Sequence, residues 1–218
     1  MYFPYSEKHN VYLQQDGFLD KELITVADID KSQRPINQKW SWDRILRSPY
    51  IKQADTLQGM YFFEDQFTTE ELERHFDFYE PFTVHESSLS PCVHSIQAAK
   101  LDRMEQAYTF YLRTSRLDLD DYNHEVEEGL HITSMAGTWM SIVEGFGGMR
   151  IINNTLSFAP KIPKGWKSYS FKVNFRHQVI TVNVSQNGTQ FELDGKDEIQ
   201  ILVDGEKINV APNNLQTA

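Results

Sequence analysis

The feature that most constrains this chain is a change of period at Gly148. Before it, apolar residues recur at helical spacing behind serine, threonine and proline start signals. After it, Lys172-Val-Asn-Phe-Arg-His-Gln-Val-Ile-Thr-Val-Asn-Val-Ser185 alternates residue by residue. A period near 3.6 turns one stripe of a helix to a core, and a period of two turns one face of a strand there. One segment cannot satisfy both. The chain is therefore read as mainly α with a C-terminal β domain. The parts are 1–148 and 149–212, and 213–218 is expected as a disordered tail.

Within the first part, residues 1–40 lack a clean face and read as irregular, with at most a short helix near Thr25–Lys31. Ser48-Pro49 then signals a helix to about Phe62, with Ile51, Ala54, Leu57 and Tyr61 on one side. Thr68 and Glu71 are spaced as a capping box, and Leu72, Phe76 and Tyr79 follow. Ser90-Pro91 opens a third helix, with Ser90 as cap. Asp102 and Glu105 offer a second box ahead of Ala107, Tyr108, Tyr111 and Leu112. A fifth helix starts near His131 and stops at Gly145-Phe-Gly-Gly148. In the second part, Gln186-Asn-Gly-Thr189 and Val203-Asp-Gly-Glu206 carry hairpin signals, so a small antiparallel sheet or sandwich is expected.

Composition narrows the function. The net charge of -10 argues against nucleic acid and anionic membrane as partners. No apolar run approaches the ~20 residues of a membrane span, and the start lacks a signal-peptide pattern. The single cysteine, Cys92, suits a reducing compartment, and a cytoplasmic location is expected. No metal-ligand spacing is present: His85 and His94 are too far apart in sequence for a helical pair.

Two stretches carry candidate chemistry. His85-Glu86-Ser87-Ser88 lies just before a helix start, where hydroxyls and the positive end of the dipole suit an anion such as phosphate. On local chemistry alone, the serines equally serve as caps and Glu86 as a dipole partner. His131, Thr133 and Ser134 lie at the next helix start, with Gly137 allowing close backbone approach. Lys52 and Gln53 stand on a helix read as otherwise apolar, either snorkelling to solvent or reaching into a cavity. The acidic run from Asp118 to Glu128 reads as a solvated loop with a few structural carboxylates.

Several separate motifs, in this order, resemble glycoside hydrolase family 65: Gln14-Gln-Asp-Gly-Phe18, Lys52-Gln-Ala-Asp55, His85-Glu-Ser-Ser-Leu-Ser90, Leu117-Asp-Leu-Asp-Asp121 and Gly129-Leu-His…Ala-Gly-Thr-Trp139. The resemblance covers nearly the whole chain. Segment 117–150 is most similar to the maltose-cleaving members, beside those acting on trehalose and kojibiose. The resemblance implies part of an (α/α)6 barrel followed by a β-sandwich. It implies an inverting phosphorolysis, in which phosphate attacks an α-glucoside and β-glucose 1-phosphate leaves. Lys52 and Gln53 would bind sugar, and Ser87, Ser88, His131 and Gly137 would bind phosphate. No cofactor beyond phosphate as co-substrate is implied, and the full-length parent would be a homodimer. The family's general acid is a glutamate expected upstream of Gln14, and Glu7 stands in no such context. The resemblance thus implies a C-terminal portion of an enzyme, inactive in isolation, or else a non-catalytic truncated product.

Overall fold

The computed structural model describes residues 2–122, 124–212 and 215–217. The N-terminal stretch has little regular structure. A minimal hairpin, β1 (Tyr5–Ser6) with β2 (Val11–Tyr12), is followed by single turns at Phe18–Asp20, Val26–Asp28 and Lys31–Gln33. Two short helices come next, α1 (Ile36–Lys39) and α2 (Trp42–Arg47). Phe18 anchors this stretch, fully buried against Phe78, Tyr79 and Phe82.

The expected helix from Ser48 begins later, as α3 (Asp55–Phe62). Ile51 instead lies extended. Its N–H donates to Phe82 O, and Val84 N–H donates to its carbonyl, both at 2.9 Å. That paired backbone removes Ser48-Pro49 as a helix start and leaves Lys52 and Gln53 in the turn before α3. Helix α4 (Thr69–Tyr79) carries the capping box on Thr68 and Glu71, and Leu72, Phe76 and Tyr79 are buried.

Helix α5 (Ser90–Lys100) has Leu89, not Ser90, at its cap, and Pro91 fits its first turn. It is buried from Ser90 to Ala99, because α3, α6 (Met104–Ser115) and α8 (Ile132–Met140) all pack on it. The expected Asp102–Glu105 box is absent. Asp102 is left-handed (φ 60°), and its carboxylate pairs with Lys161 Nζ at 2.5 Å. A four-residue helix, α7 (Leu117–Asp120), precedes the acidic loop. Helix α8 continues as a π-helix over Ser141–Phe146.

Eight strands follow among the described residues: β3 (Arg150–Ile152), β4 (Thr155–Phe158), β5 (Ser168–Phe175), β6 (Gln178–Ser185), β7 (Gly188–Asp194), β8 (Ile199–Val203), β9 (Glu206–Val210) and β10 (Gln216–Thr217). They form two four-stranded sheets, ordered β10-β7-β6-β5 and β3-β4-β8-β9. The two sheets share one apolar cluster, with Phe158, Ile180, Val182, Phe191 and Ile201 at its centre. The expectation of purely antiparallel pairing is corrected at β4 and β8, which run parallel, Leu156 beside Ile201. A crossover through the other sheet separates them, so no hairpin constrains their direction.

Asp204-Gly205 makes the two-residue turn its sequence signals, with φ of 50° and 86°. Asn187-Gly188 does not. The turn there is Gln186-Asn187, and Gly188 already pairs with Ser185. The tail reading is corrected at Gln216 and Thr217, which pair with Phe191 and Gln190; Asn213, Asn214 and Ala218 lie outside the described residues.

Candidate functional site

Three helix starts meet at one place. Gln53 precedes α3, Ser87 and Ser88 precede α5, and His131 caps α8, whose first turn holds Thr133. Side-chain bonds tie them together. Ser87 Oγ donates to Gln53 Oε1 at 3.1 Å and accepts from Leu89 N–H at 3.2 Å. Ser88 Oγ and Thr133 Oγ1 share a bond of 2.8 Å. The serines therefore link elements 34 and 45 residues apart in sequence, which mere capping would not do. Lys52 is exposed beside the half-buried Gln53. Gln14, which opens the first family motif, donates to Asp55 at 3.0 Å on the adjoining turn.

His131 is held by the loop before it. Asp118 Oδ1 lies 2.5 Å from His131 Nδ1, and Asp118 Oδ2 accepts the His131 backbone N–H at 3.0 Å. The side-chain bond first, and the backbone bond second, hold the Asp118 carboxyl below its ordinary range. Glu125 Oε2 stands 3.8 Å from His131 Nε2. Asp118 is thus one of the structural carboxylates expected in the acidic run, and its carboxylate fixes the ring plane and favours a proton on Nδ1. Spacing gave no signal for this, since 13 residues and a short helix separate the two.

Gly137 is not at the cleft. It lies buried one turn further along α8, where an added Cβ would stand 2.8 Å from Cys92 Cβ and 3.2 Å from Thr114 Cγ2. Its role in the structure is close approach of α8 to α5. Glu86 likewise departs from the dipole-partner reading. It is buried, accepting from Arg34 Nε at 3.1 Å and from Ile36 N–H at 2.7 Å.

Behind the serines, His85 turns the chain with a left-handed backbone (φ 54°), uncommon for a non-glycine residue. Its Nδ1 bonds Ser90 Oγ at 2.9 Å, which is the use the structure makes of the expected cap. His85 and His94 are brought together after all, with rings edge to face at 4.4 Å. Burial pushes both imidazoles down, His94 to about 4. Among the described residues no group of three or more His, Cys, Asp or Glu is arranged to hold a metal ion. Nor, among the described residues, is any helix long and apolar enough to cross a membrane.

Comparison with known proteins matches residues 1–140 to the central catalytic domain of glycosyl hydrolase family 65 and residues 149–210 to that family's C-terminal domain. The chain belongs to glycosyl hydrolase family 65. It is 58% identical over 193 residues to maltose phosphorylase of Bacillus subtilis (strain 168), covering 88% of this chain and 26% of that protein. It is 42% identical over 208 residues to the α,α-trehalose phosphorylase of Thermoanaerobacter brockii, covering 95% of this chain and 27% of that one. A solved structure assigned, as a candidate, to kojibiose phosphorylase from the human microbiome superposes with a TM-score of 0.92. At 38% identity it covers all of this chain and 30% of its own. The chain thus spans about a quarter of the length of the curated family 65 relatives it matches.

Proposed function

We propose that this chain supplies the phosphate site and part of the sugar site of an inverting disaccharide phosphorylase. The reaction is maltose plus phosphate giving β-glucose 1-phosphate plus glucose. The joining of three helix starts through Ser87 and Ser88 carries the reading. Helix starts present free N–H groups and partial positive charge, and hydroxyls add neutral donors. Such a pocket binds a phosphate dianion without protonating it, which leaves its oxygen nucleophilic. An inverting hydrolase needs a carboxylate base at that position to activate water. Here phosphate itself attacks the anomeric carbon, and a general acid protonates the leaving glycosidic oxygen.

In this reading Ser87, Ser88 and His131 contact phosphate, and Gly137 acts indirectly by seating α8. Lys52 and Gln53 hydrogen-bond the glucose that becomes the ester. The general acid comes from a part of the enzyme outside these residues. Residues 1–148 belong to an (α/α)6 barrel, 149–212 to a β-sandwich, and the enzyme works as a cytoplasmic homodimer with no cofactor. Maltose is favoured over trehalose and kojibiose by the 58% identity to a maltose phosphorylase.

The test is kinetic, in the intact phosphorylase that carries these residues. Ser87→Ala with Ser88→Ala is expected to raise KM for phosphate, since a hydrogen bond to a charged group is worth about 1.5–3 kcal/mol. KM for maltose should stay near wild type. Lys52→Ala and Gln53→Ala should do the reverse, lowering kcat/KM for the disaccharide. An unchanged phosphate KM in the serine variant would remove the assignment.

A further inference from the structure

A second polar cavity, of about 700 Å³, opens beside Glu86 and is lined by Lys31, Arg34, Glu86, Arg113, Tyr122 and His124. In a chain of net charge -10, three cationic side chains here face a single carboxylate. That carboxylate is already used. Its two oxygens take Arg34 Nε and the Ile36 N–H, and Arg34 Nη2 is held by Val84 O at 2.6 Å. Among the described residues Arg113 makes no ion pair within 4 Å. Its Nη2 donates to His85 O, a neutral carbonyl, at 3.0 Å, and its Nε is buried without a hydrogen-bond partner. Tyr122 lies 5.4 Å from the guanidinium; of the acids on that loop, Asp120 hydrogen-bonds Tyr122 and is held by Arg116, and Asp121 is 3.7 Å from His124. Burial first and Arg34 second push the Arg113 guanidinium below its ordinary range. Two arginines held partly out of water around one spent carboxylate are unfavourable unless an anion joins them.

We propose that this cavity is a second anion site, which takes a phosphate group, either as the free ion or as a sugar monoester. Arg113 provides the central contact, through the guanidinium that lines the cavity. Lys31 and Arg34 supply further positive charge, and the volume leaves room for more than the phosphate alone. Arginine suits this task because its planar donors match phosphate oxygens in pairs. The site uses none of the hydroxyls of the helix-start pocket, so it stands independently of the function proposed above.

The experiment is calorimetric titration of the intact protein at low ionic strength with inorganic phosphate and, separately, with glucose 6-phosphate. Ser87→Ala and Ser88→Ala are present throughout, so that the helix-start pocket is silenced. Saturable binding of at least one probe is expected to survive. It should weaken about tenfold or more in Arg113→Gln, as loss of a charged hydrogen bond implies. Lys31→Glu, on an exposed side chain that leaves folding alone, should weaken it as well, and added salt should do the same. Tighter binding of the ester identifies a sugar phosphate, and equal or tighter binding of the ion identifies inorganic phosphate. Absence of saturable binding by both probes would overturn the proposal. So would binding that neither Arg113→Gln nor Lys31→Glu changes.

Discussion

His94 is fully buried in α5, its Nδ1 donating to Ser90 O at 3.1 Å and its Nε2 without a partner. Phe76, Phe110 and the His85 ring surround it. Burial lowers its pKa from 6.5 to about 4. The sign follows directly. Between these values the unfolded chain binds a proton that the folded chain refuses, so stability falls as pH drops through this window. At pH 7 the group costs nothing; by pH 4 it has cost about 3 kcal/mol. His85, pushed down by burial and by His94, Arg113 and Arg34, adds in the same direction. Urea unfolding from pH 7 to pH 4 should therefore show a steeper loss for the wild type than for His94→Gln. Parallel curves would refute the buried-neutral assignment. At this scale, sequence exposes what is local and hides what is not. The Thr68–Glu71 box was readable because both partners lie within one turn. Asp102, in the same spacing with Glu105, was not, because Lys161 competes for it from 59 residues downstream.

Among elements, α5 and α8 decide the geometry of the candidate site, since their starts carry Ser88 and Thr133. Gly137 sets their separation. An alanine there gains about 1 kcal/mol of helix propensity. Its Cβ, however, would sit 2.8 Å from Cys92 Cβ and 3.0 Å from Cys92 Sγ. Overpacking of this kind costs about 1–3 kcal/mol, so Gly137→Ala should be destabilising overall. It should also weaken phosphate use, by shifting Thr133 and His131 away from Ser88. A double-mutant cycle with Cys92→Gly checks the cause, because the combined variant lacks the clashing atoms. Additive losses in that cycle would place the effect elsewhere. The helices α4, α6 and α8 and the strands after Gly148 were legible because their periods are strong. The start of α3 was not. Ser48-Pro49 is a sound local signal, but the bridge from Ile51 to residues 82–84 overrides it. The same tertiary pairing placed Gln53 next to Ser87, so the element that was misread is also the one that builds the site.

For the whole molecule, the boundary at Gly148 divides periods but not packing. Trp166, from the second part, lies among Tyr108, Tyr111 and Phe146 of the first, with ring centroids 5.5–6.0 Å away. Lys161 Nζ reaches Ala99 O at 2.6 Å at the end of α5. Arg150 holds Glu64 with two bonds, of 2.7 and 3.0 Å, and also donates to Glu144 O at 2.7 Å. Val143, within the π-helix, is buried in the cluster of the sheets. With aromatic, charged and main-chain contacts all crossing the boundary, the two parts should unfold together. Trp166→Ala removes the largest of these contacts. A core tryptophan truncation costs about 3–5 kcal/mol, and the partial exposure of this ring puts the loss near the lower end. That loss falls on the interface, while the sheet cluster around Phe191 and Ile201 stays intact. Calorimetry should therefore show one transition in the wild type and two in Trp166→Ala, the helical part melting first because its site end is rich in buried polar groups. A single transition shifted as a whole would mean that Lys161, Arg150 and Val143 suffice to couple the parts. Adding Arg150→Ala to Trp166→Ala should then be what separates them.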